Sequence, residues 1–146
     1  MALKEVLKVP IAKELTVRMD NRPGSLGKVC RALADRGVNI MAFQSIPSDK
    51  TILVCIVIDN PAAAEAVLDR EGITYTEGEV AQVKLPPGPG ELARAASKLA
   101  EANININYAY CGVEPNTNTP LVIFGVTEVG RAATILDQTA AAVAGT

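Results

Sequence analysis

Hydrophobic and polar positions along the chain follow two periods. Short stretches alternate with period two, as half-buried strands do, and each is followed by apolar residues at i, i+3, i+4 and i+7, as in an amphipathic helix. The first strand is predicted at Glu14–Met19, and Gly37 is expected to end the helix that follows, since glycine readily adopts the left-handed conformation of a helix stop. The apolar stripe of this helix consists of Leu26, Val29, Cys30, Leu33 and Ala34.

The same pattern recurs further along the chain. Pro23-Gly24 matches Pro89-Gly90 at an offset of 66 residues. The offset becomes 68 after residues 113–119, where two residues are added to a loop. The second helix stripe consists of Leu92, Ala95, Ala96, Leu99 and Ala100, and Asn103 takes the place of Gly37. The chain is therefore interpreted as a duplication.

Each copy contains further strands and a second, alanine-rich helix. Copy two is expected to begin with a strand at Val80–Leu85. Second strands are predicted at Val38–Phe43 and Ile104–Asn107, and third strands at Thr51–Ile58 and Leu121–Val126. The order strand, helix, strand, strand, helix indicates an α+β fold with antiparallel sheets.

The third strands are apolar on both faces, whereas a sheet covered by helices on one side alternates. We therefore expect the second face to be covered by the other copy or by another subunit, with Met41 and Phe43 joining that contact. Leu7–Val9 lies 66 residues before Ile73–Tyr75. The fourth-strand equivalents thus precede each copy, and Leu3–Val9 is expected to be an edge strand, either beside Glu14–Met19 or closing copy two.

Composition narrows the function. A net charge of -2 with interspersed signs argues against nucleic acid or membranes as partners, and no apolar run is long enough to span a bilayer. The chain has no histidine, the usual general base near neutral pH and the commonest zinc ligand. We expect a cytoplasmic protein that is not an enzyme and holds no metal or cofactor. Three widely spaced cysteines are expected to be buried thiols: Cys30, Cys55 and Cys111.

The stretch MDNRPGSLGKVCRALADRGVNI (Met19 to Ile40) resembles the ACT domain, a small ligand-binding module with the order βαββαβ and an Asn-Arg/Lys-Pro-Gly-x-Leu loop. In copy two only Pro89-Gly90-x-Leu92 and the following helix and strand match. The resemblance implies two ferredoxin-like units in tandem, over residues 14–78 and 79–146, after an extension at residues 1–13. The fourth strand of each unit either pairs within its own unit or is exchanged with the other unit.

The resemblance also implies a function. ACT units commonly sense free amino acids, and the ligand sits where two units meet, touching the loop after the first strand and the start of the second strand. Small regulatory subunits of amino-acid biosynthetic enzymes carry ACT units too, so a regulated enzyme is an expected partner. A homodimer is expected because exposed sheet edges and doubly apolar strands invite pairing.

The chemistry of the first loop agrees with anion binding. Asp20 to Gly24 lie over a helix N-terminus, where unpaired N–H groups and the helix dipole favour an α-carboxylate. Asp20 could neutralise the α-ammonium group, and Asn21 could accept a hydrogen bond from it or donate one to the carboxylate. Arg22 could clamp the carboxylate or face solvent. The alternative is plain turn chemistry, with Ser25 as N-cap and no ligand.

The candidate ligand-binding residues combine both loops and both second strands. They are Asp20, Asn21, Arg22, Pro23, Gly24, Ser25, Leu26, Asn39, Ile40, Met41, Gly90, Asn105 and Ile106. Asn39 and Asn105 could equally cap turns or line a solvated face. The second loop is expected to be the weaker ligand site or no site, because prolines replace Asp20 and Asn21 and Glu91 stands opposite Ser25. The apolar residues suit a small aliphatic ligand.

Other classes of function fit the sequence less well. Gly88-x-Gly90-x-x-Ala93 follows a strand and opens a helix, but too little chain remains for a doubly wound sheet around a dinucleotide. Asp20 and Glu91 could form an acid and base pair, but nothing in the sequence places them together. Cys111 as a nucleophile lacks a histidine partner. The stronger rival is an interaction module that regulates another protein without binding any small molecule.

Overall fold

The computed structural model describes residues 11–144, and side chains as far as residue 137. This range contains six strands and four helices in two compact units. Residues 13–78 form the N-terminal unit, and the chain from residue 79 onward, with Ile11 and Ala12, belongs to the C-terminal unit. The edge strand predicted at Leu3–Val9 lies outside the described residues.

The N-terminal unit contains strand β1 (Ile11–Asp20), helix α1 (Ser25–Ala34), strands β2 (Ile40–Ser48) and β3 (Thr51–Ile58), and helix α2 (Pro61–Arg70). Strand β3 lies between β1 and β2 and is antiparallel to both. On the other side of β1, the Arg18 amide donates to the Thr74 carbonyl at 2.9 Å. The chain after α2 therefore supplies a fourth strand to this unit.

The C-terminal unit repeats this order with strand β4 (Tyr75–Lys84), helix α3 (Glu91–Glu101), strands β5 (Ile106–Val113) and β6 (Pro120–Val126), and helix α4 (Val129–Ala144). Strand β6 lies between β4 and β5 and is antiparallel to both. The prediction of an α+β fold with antiparallel pairing is confirmed.

Strand β4 corrects one expectation. Ile73–Tyr75 and Val80–Leu85 were predicted as separate strands, but one strand runs from Tyr75 to Lys84. Gly78, at the boundary of the two units, does not adopt a positive φ, so the extended backbone continues through it. The fourth strand of one unit and the first strand of the next are consequently a single element.

Both predicted helix stops are confirmed. Gly37 has φ 73°, and the Val38 amide returns to the Leu33 carbonyl at 3.1 Å. Asn103 has φ 59°, and the Ile104 amide returns to the Leu99 carbonyl at 2.9 Å. Both ends thus use a left-handed residue to satisfy carbonyls of the last helical turn.

A β-bulge near the start of each second strand changes which side chains share a face. Ile40 pairs with Ile58 but Ala42 pairs with Val57, so Met41 is an extra residue. After the bulge, Phe43 pairs with Ile56 on the helix-covered side, where it is 55% exposed. The expectation that Phe43 covers the second face of β3 is therefore wrong, because the extra residue reverses the alternation.

Each unit has its own hydrophobic core between its helices and one face of its sheet. Full burial of one aliphatic side chain contributes about 1.5–3 kcal/mol. The N-terminal core consists of Leu15, Val17, Met19, Val29, Leu33, Val38, Val54, Ile56, Ile58, Ala64, Val67 and Leu68. The C-terminal core consists of Ala81, Val83, Leu85, Ala95, Leu99, Ile104, Val122, Phe124, Val126, Ala132 and Leu136.

The second face of β3 is buried, as the doubly apolar third strand predicts: Cys55 and Val57 both belong to the buried residues. The expectation for the cysteines holds only in part. Cys55 is buried and Cys30 is half-buried, but Cys111 is exposed. Its strand alternates, so the side of β5 that carries Cys111 faces solvent.

Candidate functional site

The loop of residues 20–24 is held by backbone hydrogen bonds at the end of β1. Asp20 pairs with Thr51 at the start of β3. The Asn21 amide donates to the Lys50 carbonyl at 3.0 Å, and the Arg22 amide donates to the Asp20 carbonyl at 3.0 Å. The first bond ties the loop to the β2–β3 turn and the second closes a turn within the loop, so the exposed side chains stand on a defined backbone.

Helix α1 begins without a side-chain cap. Its N-cap is Gly24, with φ 91°, and Ser25 is already the first helical residue, so the alternative that Ser25 is the N-cap is wrong. The first turn of α1 carries no acidic residue. The Ser25 amide donates to the Arg22 carbonyl at 3.3 Å, and the other first-turn N–H groups, which have no partner inside the helix, carry the positive end of the helix dipole.

Charged side chains line this loop. The Arg22 guanidinium lies 3.7 Å from the Asp20 carboxylate, in an ion pair that is largely exposed. Within the described part of the chain, the exposed Asn21 side chain makes no hydrogen bond. An incoming amino acid could therefore engage all three polar side chains without breaking a buried contact.

The sequence did not single out Arg18, which also lies beside the loop. Its guanidinium donates to the Thr51 hydroxyl at 3.2 Å, and that hydroxyl donates to the Ser48 carbonyl at 2.8 Å. Only the pairing register of β1 with β3 places Arg18 there. In the sequence, Arg18 is marked only as a positively charged residue on the outward-facing side of a strand whose apolar and polar residues alternate.

The start of β2 forms a second group of candidates. The Asn39 amide donates to the Asp59 carboxylate at 2.9 Å, and the Asp59 amide donates to the Asn39 carbonyl at 3.1 Å. Ile40 packs against the N-terminal core, as Leu26 does, so both support the site rather than line an open surface. Met41 is the half-buried extra residue of the bulge.

The two groups lie at opposite ends of the sheet. Asp20 pairs with the first residue of β3, whereas Ile40 pairs with its last residue, Ile58. Seven residue steps along a strand measure about 23 Å. One amino acid therefore cannot touch both the loop and Asn39 within this unit.

The second loop has a different electrostatic character. Helix α3 also begins after a left-handed glycine, Gly90 with φ 86°. Here Glu91 occupies the first turn, and its carboxylate accepts from the Arg94 guanidinium at 3.2 Å. The positive end of α3 is thus already matched by a carboxylate of its own.

The remaining candidates of the C-terminal unit make structural contacts. Asn105 donates through Nδ2 to the Asn107 side-chain oxygen at 2.9 Å, and Ile106 packs against the C-terminal core. Asn105 is exposed just before β5 begins, so it faces solvent, which is one of the two alternatives for it.

Among the residues with described side chains, no group of three His, Cys, Asp or Glu is placed to hold a metal ion. In residues 11–144 no helix combines the length and the apolar character needed to cross a membrane.

Comparisons with known proteins give a partial family match and show the fold. Residues 13–71 match the family model described as the ACT domain. No curated protein matches the chain significantly. Protein BT0572 of Bacteroides thetaiotaomicron has a similar solved structure, with a TM-score of 0.77 and 22% identity over 88% of each chain.

Regulatory subunits of aspartate kinase are similar in fold as well. The ligand-free subunit from Thermus thermophilus has a TM-score of 0.60 and 18% identity, over 90% of this chain and 93% of its own. The subunit from Thermus flavus has a TM-score of 0.51 and 20% identity, over 90% and 93%. The chain therefore has the ACT-type, ferredoxin-like α+β fold, with its ACT family match at residues 13–71.

Proposed function

We propose that this chain is a cytoplasmic regulatory protein without catalytic activity, built from two tandem ACT units, that binds a small free amino acid. The ACT match covers the N-terminal unit, and the tandem assignment is supported by the repeat offsets and by the same order of elements in both units. The proposed boundaries are residues 14–78 and 79–146.

The observation that carries the proposal is the open N-terminus of α1. It has no side-chain cap and no acidic residue in its first turn, and the exposed residues Asp20, Asn21 and Arg22 lie in the loop that leads into it. The N–H groups and Arg22 would receive the α-carboxylate, and Asn21 and Asp20 the α-ammonium group. The loop before α3 is the weaker site, because Glu91 repels a carboxylate there.

The second half of the site is assigned to another copy of the chain. Since the loop and Asn39 lie at opposite ends of one sheet, Asn39 to Met41 would have to come from a second molecule in a homodimer. A ligand that bridges two molecules favours one arrangement over another by its differential affinity, and a regulated enzyme would respond to that arrangement.

The test is thermal unfolding of the chain against the twenty amino acids. A ligand at a hundred times its dissociation constant adds about 2.7 kcal/mol, or roughly 5–10 °C at this size. We expect a selective rise for one or two small aliphatic amino acids, and Asn21→Ala and Asn39→Ala should both abolish it. Asn116→Ala, in another exposed loop, and Gly90→Ala are the controls and should retain it.

A flat response to all twenty amino acids would refute the sensor and support the interaction module. A response that Asn21→Ala leaves unchanged would refute the assigned site while retaining the sensor. A response lost in Asn21→Ala but kept in Asn39→Ala would refute only the contribution of the second molecule.

A further inference from the structure

A groove lies along α2 of the N-terminal unit, away from the amino-acid loop. The cavity has a volume of about 270 Å³ and is lined by Arg36, Ala63, Ala66, Val67 and Arg70. Arg36 follows the C-terminal end of α1, whereas the loop of residues 20–24 precedes its N-terminal end. Ten helical residues span about 15 Å, so the groove and the loop are separate.

The four lining residues of α2 form one stripe. Positions 63, 66, 67 and 70 follow the i, i+3, i+4, i+7 spacing of a single helix face and extend over about 10 Å. The floor is apolar, because Val67 is buried in the core and the other two side chains are alanines. By the same spacing, Glu65 and Asp69 point away from the groove.

Both arginines are available to a ligand. Among the described residues, Arg36 forms no ion pair, and its side chain is exposed. Arg70 lies 4.0 Å from Glu71, with its side chain half exposed, and an exposed pair at that distance contributes little. Two guanidinium groups with nearly free donors therefore border an apolar floor.

In the C-terminal unit, an arginine side chain occupies the position that corresponds to this groove. Helices α2 and α4 begin 68 residues apart, so Arg131 occupies the position of Ala63, and by the 66-residue offset Ala102 occupies that of Arg36. The Arg131 guanidinium donates to the Ala102 carbonyl and lies 3.2 Å from the Glu128 carboxylate. The open groove with two arginines is thus particular to the N-terminal unit.

We propose that this groove binds a small molecule with two anionic groups joined by an apolar spacer, of the class of aliphatic dicarboxylates. Arg36 and Arg70 each pair with one anionic group, because guanidinium groups form charge-assisted, bidentate bonds with carboxylates. The spacer lies on Ala63, Ala66 and Val67. The site is independent of the amino-acid loop and gives the protein a second ligand.

The experiment is isothermal titration of the full chain, at constant ionic strength, with succinate, glutarate, adipate and suberate, and with hexanoate as a monoanion. We expect at least one dicarboxylate to bind tenfold or more tightly than hexanoate. Arg36→Gln and Arg70→Gln should each weaken that binding tenfold or more. Ala63→Arg, which copies Arg131, should abolish it by filling the groove.

The matched control is Arg31→Gln, an exposed arginine of α1 outside the groove, which should leave the affinity unchanged. Asn21→Ala should also leave it unchanged, which separates this site from the amino-acid loop. Failure of all four dicarboxylates to bind, equal binding of hexanoate, or an equal loss in Arg31→Gln would overturn the proposal. So would an acidic peptide that binds through Arg36 when no dicarboxylate does.

Discussion

Tyr108 lies directly across the β5–β6 pair from Gly125, and a β-carbon at Gly125 would overlap its ring. The equivalent pair in the N-terminal unit is Ala42 with Val57, so the small and the large residue have exchanged strands. The Tyr108 ring also stacks on Tyr110, with centroids 6.3 Å apart. In both units a small residue therefore faces a larger one at this pair.

Gly125→Ala is expected to lower the free energy of unfolding by about 1–3 kcal/mol, because the added carbon forces the Tyr108 ring out of place. Chemical denaturation with urea measures it. Gly125→Val combined with Tyr108→Ala recreates the pair of the N-terminal unit and should recover most of the loss. Gly130→Ala, in open space on α4, is the control and should not destabilise. Equal effects of Gly125→Ala and Gly130→Ala would contradict the steric argument.

Gly24→Ala should cost about 1–2 kcal/mol of stability through backbone strain alone, since φ is 91° there and no atom lies within 4 Å of the added carbon. Gly90→Ala, with φ 86° and equally open space, should cost the same. Gly27→Ala, inside α1, is the control and should be neutral or stabilising. Thermal unfolding of the three variants tests this, and a loss in Gly27→Ala similar to the others would refute it.

The three cysteines should react with a thiol reagent in the order of their exposure. Burial raises the pKa of Cys55, and the nearby Glu14 carboxylate raises it further, so the thiol stays protonated above its usual range. Burial also raises the pKa of Cys30. At pH 8 we expect Cys111 to react first and Cys55 last, because the thiolate is the nucleophile. Mass spectrometry of timed samples gives the order, with Cys111→Ser as the control that should remove the fast phase.

Glu114 should titrate below its usual range. The hydroxyl of Thr117, 2.6 Å from the carboxylate, lowers the pKa of Glu114 by hydrogen bonding to its charged form. The stabilising contribution is present above the unfolded pKa and is lost as the pH falls through the lower, folded pKa. Thr117→Val should raise the pKa of Glu114 in an NMR titration. Thr134→Val, whose hydroxyl bonds to the Gly130 carbonyl, should leave it unchanged.

Local sequence was sufficient to predict most elements. The third strand at Thr51–Ile58 was predicted with the bounds that the structure has, because an uninterrupted β-branched and aliphatic run between turn residues leaves little choice. The helix stops at Gly37 and Asn103 were equally readable, since each depends on one residue that tolerates a positive φ.

The register of strand pairing could not be predicted from the sequence. The bulge at Met41 reverses the faces of all later residues in β2, and a single inserted residue leaves the hydrophobic pattern nearly unchanged. The continuity of β4 could not be predicted for a related reason. A glycine such as Gly78 is typical of a break between strands, but here its backbone is extended like that of any other strand residue.

By itself, the sequence determined the repeated motif with its 66-residue offset, the order of elements and the loop that carries the ACT resemblance. These depend on interactions within a few residues or on direct comparison of the two copies. Only the tertiary structure decided that the loop and Asn39 lie at opposite ends of one sheet, and that Arg36 and Arg70 border one groove. Those relationships join residues brought together by strand pairing and helix packing, and the periodicity of a single segment carries no information about them.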